Sequence, residues 1–230
     1  MSAANLRAPR PASTRQKQRK GRPAPSRTND PEKTKQDILE VATHEFAAKG
    51  LSGARIDKIA ARIRTSKRMI YYYFGSKEAL YLAVLEEAYS RIRRIERQLD
   101  LDHLAPMEAL AQLVGFTFDY QTGYPDFIRL VVIENIHEGA HIKRSKVIQS
   151  LNVTAIDALR KLCKRGQAEG VFRDNLDPID LHMSISALCN FNITNRATFS
   201  TIFKHDMASS RALAARRAQV VDLLLRYVRR

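Results

Sequence analysis

The sequence is poor in the residues and runs that mark several common protein classes. It has no Trp, and its 9 Gly and 8 Pro are too few for a collagen-like or low-complexity chain of 230 residues. It has no run of about 18 apolar residues, so it predicts no membrane span. Its first 29 residues lack the apolar core of a secretory signal. With 44% hydrophobic residues the chain can bury a sizeable core, and we expect a cytoplasmic globular protein.

Cysteine is also scarce. The chain has two cysteines, Cys163 and Cys189, which form no CxxC pair and lie among apolar residues. This usage predicts buried free thiols in a reducing compartment.

Acidic residues are absent from the first 29 positions, which contain eight Lys or Arg and so carry +8 of the net charge of +15. Five prolines occur by Pro31, which argues against the amphipathic helix of a mitochondrial transit peptide. We interpret residues 1–30 as a disordered basic arm. The positive balance predicts an anionic partner, nucleic acid before acidic membrane.

From Thr34 onward, apolar residues recur at helical spacing. The first pattern ends at Gly50, a second covers 54–63, and a third begins at Ser66 and ends at Gly75. Ser76 then caps a long helix, and further helices are predicted at 106–122, 125–138, 144–169, 178–203 and 208–229. No stretch alternates with period two over enough residues to require a strand, so the predicted fold class is all-α.

Three short helices followed by a long one form a unit that can read DNA. In a helix-turn-helix the last short helix enters the major groove, the helix before it crosses the backbone, and the first helix braces both. Here the candidate reading helix is 66–73. Lys67 and Arg68 lie near its N-terminus, where the helix dipole also favours phosphate.

Residues 38–85 also carry a specific motif set. Phe46 and Gly50 form Phe-x-x-x-Gly, and Ile59-Ala60 follows in the second helix. The pattern Ser-x-x-x-apolar-Tyr-x-His/Tyr-Phe-x-Ser-Lys-Glu-x-Leu is then matched in order by Ser66, Ile70, Tyr71, Tyr73, Phe74, Ser76, Lys77, Glu78 and Leu80. These residues resemble the TetR-type bacterial transcriptional regulators. The resemblance implies a three-helix DNA-binding domain at 31–78 and a helical ligand-binding and dimerisation domain at 79–230.

The sequence departs from that family pattern at two places. The turn before the reading helix lacks its usual Gly, and Arg64 in the left-handed conformation would cost about 1 kcal/mol relative to Gly. The second helix begins with Ala54-Arg55 instead of a small polar pair, so a side-chain cap is lost. Both Arg55 and Arg64 become candidates for phosphate contact.

The resemblance also implies roles for other residues of the DNA-binding domain. Lys67 and Arg68 address base edges or nearby phosphates, and Tyr72 lies along the groove. Tyr73 and Lys77 contact phosphate, which positions the protein without specifying sequence. The expected DNA-contacting set, apart from the arm, is Arg55, Arg64, Ser66, Lys67, Arg68, Tyr72, Tyr73 and Lys77. Tyr71 and Phe74 are expected to pack in the core.

The C-terminal segments resemble the branch of the family that includes the pyrimidine-responsive regulator RutR. The two terminal helices, 178–203 and 208–229, are apolar on more than one face and are predicted to form a homodimer interface. A two-fold dimer predicts a palindromic operator.

A ligand pocket is expected among helices 106–122, 125–138, 144–169 and 178–203. The candidate lining residues are Phe116, Tyr120, Glu134, His137, Asn190, Asn192 and Asn195. Three amides on an apolar helix need buried partners, which a ligand supplies in one interpretation and inter-helix or dimer hydrogen bonds supply in the other. The branch points to an aromatic or heteroaromatic effector, with no cofactor.

The segment His137–His141 literally fits H-E-x-x-H, a zinc-protease motif when it lies on one helix. Gly139 weakens a helix by up to about 1 kcal/mol, and an ending there would point the two histidines in different directions. The third ligand would have to be Glu169. We therefore expect neither a metal site nor an enzyme.

Two functions remain in competition. The leading hypothesis is a ligand-responsive dimeric transcription factor, a repressor that a small molecule releases from its operator. The alternative is an architectural DNA-binding protein without a ligand, which would hardly distinguish DNA sequences.

The basic arm contains QKQRKGRPAPSR at 16–27, and two interpretations of it stay open. Arg22, between Gly21 and Pro23, can enter a narrow A·T-rich minor groove, or the arm can act as an electrostatic tail. Deleting residues 1–27 separates them in a DNA-binding assay. Minor-groove contact predicts lost preference for A·T flanks, whereas a plain tail predicts uniformly weaker binding and a shallower salt dependence.

Overall fold

The fold is known from a computed structural model that describes residues 30–230; Arg22 and the basic arm up to residue 29 lie outside this range. The N-terminal helices are α1 (Pro31–Gly53), α2 (Ile56–Arg62), α3 (Lys67–Phe74) and α4 (Lys77–Glu96). The body consists of α5 (Pro106–Gly123), α6 (Pro125–Ile136), α7 (Lys146–Ala168), α8 (Pro178–Thr194), α9 (Arg196–Phe203) and α10 (Ser210–Val228). Within the described range the only β pairing is an isolated bridge between Phe172 and Arg229, so the all-α prediction is confirmed.

Local capping explains where the first helices begin. Asp30 accepts hydrogen bonds from the backbone N–H of Glu32 and of Lys33 at 3.1 and 3.2 Å, and Pro31 occupies the first helical position. Gly50 has φ 67°, which interrupts the helical backbone where the sequence predicts the end of α1. One further turn follows to Gly53.

Two hydrophobic cores organise the chain. The first is formed by the four helices α1, α2, α3 and α4, and Phe46, Ile59 and Leu80 are fully buried in it. It extends to Leu130 of α6 and Ile148 of α7. The second joins α5, α7, α8 and α10. Because α4 starts in the first core and ends against the body, it connects the N-terminal helices to the rest of the chain.

The predicted helix 178–203 is wrong as a single element, because it breaks at Asn195 into α8 and α9. The Asn195 amide donates to the Thr194 hydroxyl oxygen at 2.8 Å, and that hydroxyl donates to the Asn190 carbonyl. Such side-chain hydrogen bonds compete with the backbone hydrogen bonds of a continuous helix. Helix α6 also ends earlier than predicted, since Glu138 and Gly139 adopt positive φ of 55° and 68°.

Both cysteines are buried free thiols, as the sequence predicts. Burial raises the pKa of the Cys163 thiol and raises that of Cys189 to about 12, so neither is a nucleophile near neutral pH. Among the described helices, none is both long and apolar enough to cross a membrane.

Candidate DNA interface and ligand cavity

Helix α3 presents one exposed face and one buried face. Its N-terminus is capped by Ser66, whose hydroxyl accepts from the Met69 N–H at 3.2 Å. Ile70 anchors the buried side with 1% exposure, and Phe74, one turn later, packs against the same core. The opposite side exposes the residues Lys67, Arg68, Tyr71 and Tyr72, which we call the reading face. Their spacing of one and four residues puts them on a single surface of the helix.

Tyr71 differs from expectation, since it is 43% exposed instead of packed in the core. Tyr72 is 78% exposed, as a residue that lies along a groove must be. Tyr73 is partly buried against the first core, and its ring meets that of Tyr72 edge-on at 5.4 Å. The helix therefore carries two exposed tyrosines beside its two cations, and the third braces Tyr72.

Arg64 occupies the turn between α2 and α3 with φ 53°, which confirms the left-handed conformation. Its side chain is exposed beside the N-terminus of α3. The turn is closed by the Thr65 N–H, which donates to the Ala60 carbonyl at 2.9 Å.

Replacing Arg64 by Gly is expected to raise the free energy of unfolding by about 1 kcal/mol, since Gly adopts positive φ without a Cβ penalty. Operator affinity should nevertheless fall severalfold, because the predicted phosphate contact of Arg64 is lost. Denaturant melts and DNA titrations at fixed salt measure the two effects. An Arg64→Gly protein that is more stable and binds DNA as well as the wild type would remove Arg64 from the interface.

Three other residues that are predicted to contact DNA form hydrogen bonds within the protein. Arg55 begins α2 without a side-chain cap, and its guanidinium donates to Asp57 at 2.8 Å. The Lys77 ammonium donates to the Ser52 carbonyl at 3.3 Å and so ties α4 to the end of α1. The Ser66 hydroxyl serves as the cap of α3.

A cavity of about 490 Å³ lies in the body, a volume typical of small-molecule sites. Its walls come from α4 to α8 and from the turns after α4. Apolar side chains such as Phe127, Ile128 and Leu159 form part of the lining, with Arg93, Gln121 and Asn190 among the polar ones.

Of the seven pocket candidates from the sequence, Asn190 lines this cavity and the other six do not. Tyr120 is buried, with its ring 4.9 Å from Tyr124 and 5.8 Å from Phe116. Asn192 lines a smaller cavity of about 160 Å³ beside α9, and Asn195 lies at the break between α8 and α9. His137 is exposed at the end of α6.

The sequence contains a signal for four polar cavity residues that sequence reasoning did not select: Thr117, Gln121, His182 and Ser186. His182 and Ser186 recur at a spacing of four with the predicted Asn190 on α8, and Thr117 and Gln121 do so on α5. Polar residues at this spacing lie on one helix face. Arg93 and Arg165 also line the cavity and give no such signal, because each lies in a charged stretch.

Glu134 is 1% exposed and holds the segment after α6 in place. Its carboxylate accepts from the backbone N–H of His141 and of Ile142, both at 3.1 Å, and lies 2.9 Å from the His141 ring nitrogen Nδ1. The His141 ring also packs edge-on against Tyr81 of α4 at 4.9 Å. Glu134 therefore ties the body to α4, away from the cavity.

Burial opposes the charge of Glu134, but the hydrogen bonds from Ile142 and His141 outweigh it and lower the pKa of the carboxyl below its ordinary 4.5. A lowered pKa stabilises the fold above the ordinary value, and this contribution is lost as the pH falls through the lowered one. Glu134→Gln should therefore cost about 1–3 kcal/mol at neutral pH and less near pH 3. Denaturant melts at both pH values, with the exposed Glu138→Gln as control, measure this; an equal cost at both would contradict it.

The H-E-x-x-H segment does not form a metal-binding face. Positive φ at Glu138 and Gly139 ends the helix between the two histidines, and His141 turns inward to Glu134. Over residues 30–230, no three His, Cys, Asp or Glu side chains are grouped to hold a metal ion.

Helices α8 to α10 expose large apolar side chains. Met183 is 61% exposed on α8, Phe203 is 62% exposed on α9, and Leu223 is 43% exposed on α10. Large exposed apolar side chains are typical of a protein–protein contact when they form a continuous patch.

Comparison with known proteins agrees with both halves of the chain. Residues 38–84 match the family model described as bacterial regulatory proteins, tetR family. Residues 106–224 match the tetracyclin repressor-like C-terminal domain, which alone covers more than half of the chain. The chain belongs to the TetR family.

Individual TetR-family relatives extend this result. The HTH-type transcriptional repressor NicS of Pseudomonas putida is 37% identical over 204 residues, which are 89% of this chain and 96% of that protein. The crystal structure of the putative transcriptional regulator SCO4942 from Streptomyces coelicolor superposes with a TM-score of 0.65 at 29% identity, covering 85% of this chain and 98% of that one. The resemblance to TetR-type regulators is therefore confirmed over most of the chain.

The assignment to the RutR branch has narrower support. RutR of Escherichia coli is 33% identical over 100 residues, which are 44% of this chain and 47% of that protein. Because NicS matches about twice as many residues, the body of this TetR-family chain is better described by its similarity to NicS.

Proposed function

We propose that this chain is a dimeric transcriptional repressor that binds a palindromic operator through α3 and is released by a small molecule bound in the 490 Å³ cavity. The observation that carries the proposal is the path of α4. Its first half packs with α1, α2 and α3 in the first core, where Leu80 and Tyr81 are buried and the Tyr81 ring meets Phe46 of α1. Its second half lines the cavity through Tyr89, Ile92 and Arg93. A ligand that displaces α4 therefore acts on the core that holds α3.

In this proposal the reading face enters the major groove. Arg68 and Lys67 address base edges, for which arginine on guanine is the commonest specific contact. Tyr72 lies along the groove. The position of the protein along the DNA is set by phosphate contacts from Arg64, Tyr73, Lys77 and the N-terminus of α3. Arg55 contacts phosphate at the edge of this interface.

The dimer in this proposal forms through α8 to α10, whose exposed apolar residues pack against the same surface of a second copy. Two reading helices related by a two-fold axis then contact successive major grooves about 34–36 Å apart. Operator symmetry follows from this arrangement.

Effector control requires two dimer shapes with different ligand affinity. The DNA-competent shape places both α3 helices in register, and a ligand that favours another shape lowers operator affinity. The His44 ring, 3.1 Å from the Asp126 carboxylate, gives a second link between α1 and α6, which also lines the cavity. The chain acts by binding and needs no cofactor.

A gel-shift experiment on the DNA that flanks the gene tests this function against the architectural alternative. The repressor predicts a discrete complex that survives an excess of unrelated DNA and is removed by one compound of a metabolite panel. The architectural protein predicts a complex that unrelated DNA competes away. Loss of every complex to unrelated DNA would reject the repressor.

A further inference from the structure

Two hydrogen bonds between side chains join α4 to α7. The Ser145 hydroxyl donates to the Glu86 carboxylate at 2.6 Å, and the Arg93 guanidinium donates to Asn152 Oδ1 at 2.9 Å. From the first bond to the second, the chain advances by seven residues on α4 and by seven on the α7 side, which is about two helical turns. The two helices therefore run side by side in the same direction, and the bonds hold α4 at two different levels.

The two bonds differ in their position relative to the cavity. Arg93 and Asn152 both line the cavity, so their bond lies in its wall. Ser145 is 1% exposed, and its hydroxyl also accepts from the N–H of Ile148, a residue of the first core. Ser145 and Glu86 lie outside the cavity lining. A ligand in the cavity can therefore compete for the Arg93–Asn152 bond and leaves the Ser145–Glu86 bond in place.

Both partners of the cavity bond are fixed by further contacts. Arg93 forms an ion pair with Glu96 on its own helix, and its side chain is 11% exposed. The Asn152 amide nitrogen donates to the Ile148 carbonyl at 2.8 Å, so its oxygen is the group that faces Arg93. A hydrogen bond from a charged donor is stronger than a neutral one, and water screens it little at this burial. The bond therefore determines the distance between α4 and α7 at this level.

Helix α4 is continuous from Lys77 to Glu96 and so forms a stiff rod about 30 Å long. Glu86 lies at its middle, between the half that packs in the first core and the half that lines the cavity. A bond at the middle of a rod acts as a pivot. A displacement at Arg93 is then transmitted to the first half of α4, which contacts α3.

We propose that the Arg93–Asn152 bond holds α4 in the position that fits the operator, and that an effector acts by breaking this bond while the Ser145–Glu86 bond serves as the pivot. Asn152 is a positioning residue, because it acts on DNA binding through Arg93 and α4. This inference rests on the proposed function, since it names the contact by which the same cavity controls DNA binding. A ligand that leaves this bond intact gives no release.

Operator binding without any effector tests the role of Asn152. Asn152→Leu removes the bond and should weaken operator binding about tenfold. Asn152→Asp keeps an acceptor for Arg93 and should stay within about twofold of the wild type. The matched control is Thr154→Val, since Thr154 also lines the cavity on α7 and its hydroxyl donates to the Ser150 carbonyl of the same helix. Fluorescence anisotropy with labelled operator at fixed salt gives the four affinities.

The proposal is overturned if Asn152→Leu binds operator as tightly as the wild type. It is also overturned if Asn152→Asp or Thr154→Val loses as much affinity as Asn152→Leu, because the loss would then not depend on an acceptor for Arg93.

A double-mutant cycle separates the bond from its two partners. Arg93→Met removes the same bond from the α4 side, so it should weaken operator binding by a similar factor. The protein with both Arg93→Met and Asn152→Leu should bind like either single variant, since the bond can be lost only once. Losses that multiply in the double variant would show that the two residues act separately and would contradict the proposal.

Unrelated DNA and thermal melts distinguish a positional effect from a loss of folded protein. We expect Asn152→Leu to bind unrelated DNA as the wild type does and to melt within a few degrees of it. Equal losses on operator and unrelated DNA would assign Asn152 a structural role and reject the proposal. The wild type reports on the repressor function in the same titrations. Preference for operator in the wild type, kept in full by Asn152→Leu, rejects this inference alone, whereas a wild type without preference rejects the repressor.

Discussion

Replacing both Lys67 and Arg68 by alanine is expected to weaken operator binding by about a hundredfold or more. Each specific base contact by a long basic side chain contributes about 1–3 kcal/mol, and the pair sits on the exposed face of α3. Folding should be unaffected, since the Ser66 cap and the buried Ile70 stay in place. Fluorescence anisotropy with labelled operator at fixed salt gives the two affinities.

The matched control is the Lys143→Ala, Arg144→Ala protein, which loses an adjacent Lys and Arg from an exposed turn of the body. It has the same net charge as the reading-face variant, so it corrects for long-range electrostatics. We expect its operator affinity to stay within about twofold of the wild type. Equal losses in the two double variants would mean that α3 contributes only charge and does not read sequence.

Placing an acid in the exposed apolar surface of α8 is expected to have the second large effect. Met183→Asp puts an unpaired charge into the proposed dimer contact, which is strongly unfavourable when buried, and the chain should become monomeric. One reading helix then binds a half-site alone, so operator affinity falls by about a hundredfold or more. Light scattering after size exclusion measures the mass, and anisotropy measures the affinity.

Val153→Asp is the control for this substitution. Val153 on α7 has the same 61% exposure as Met183, and α7 is not part of the proposed contact. The Val153→Asp protein should stay dimeric and bind operator normally. A dimeric Met183→Asp protein would move the interface away from this part of α8.

The DNA-binding half was predictable because its signals are local. Ser66, Gly75 and Ser76 are caps and stops that act within one turn, and the structure has a helix boundary at each. Tyr71 was misplaced because three consecutive tyrosines give no periodicity. Ile70 and Phe74, four residues apart, decide which face is buried.

The cavity was largely unpredictable because five helices and a turn build it. Whether a residue such as Tyr120 faces the cavity or a neighbouring ring depends on packing that no local pattern records. Glu134 gives a second example. Its partner His141 belongs to a motif that suggests metal binding, and only the turn at Glu138 and Gly139 brings the two together.

Hydroxyl-radical footprinting tests the central claim most directly, on the DNA fragment flanking the gene that forms a complex in the gel shift. A dimer that reads DNA through the α3 face predicts two protected half-sites related by a two-fold axis, with centres about one helical turn apart or a multiple of it. The Lys67→Ala, Arg68→Ala protein should leave no footprint at the concentration that saturates the wild type. Continuous protection without symmetry, or a footprint that survives the double substitution, would contradict the account.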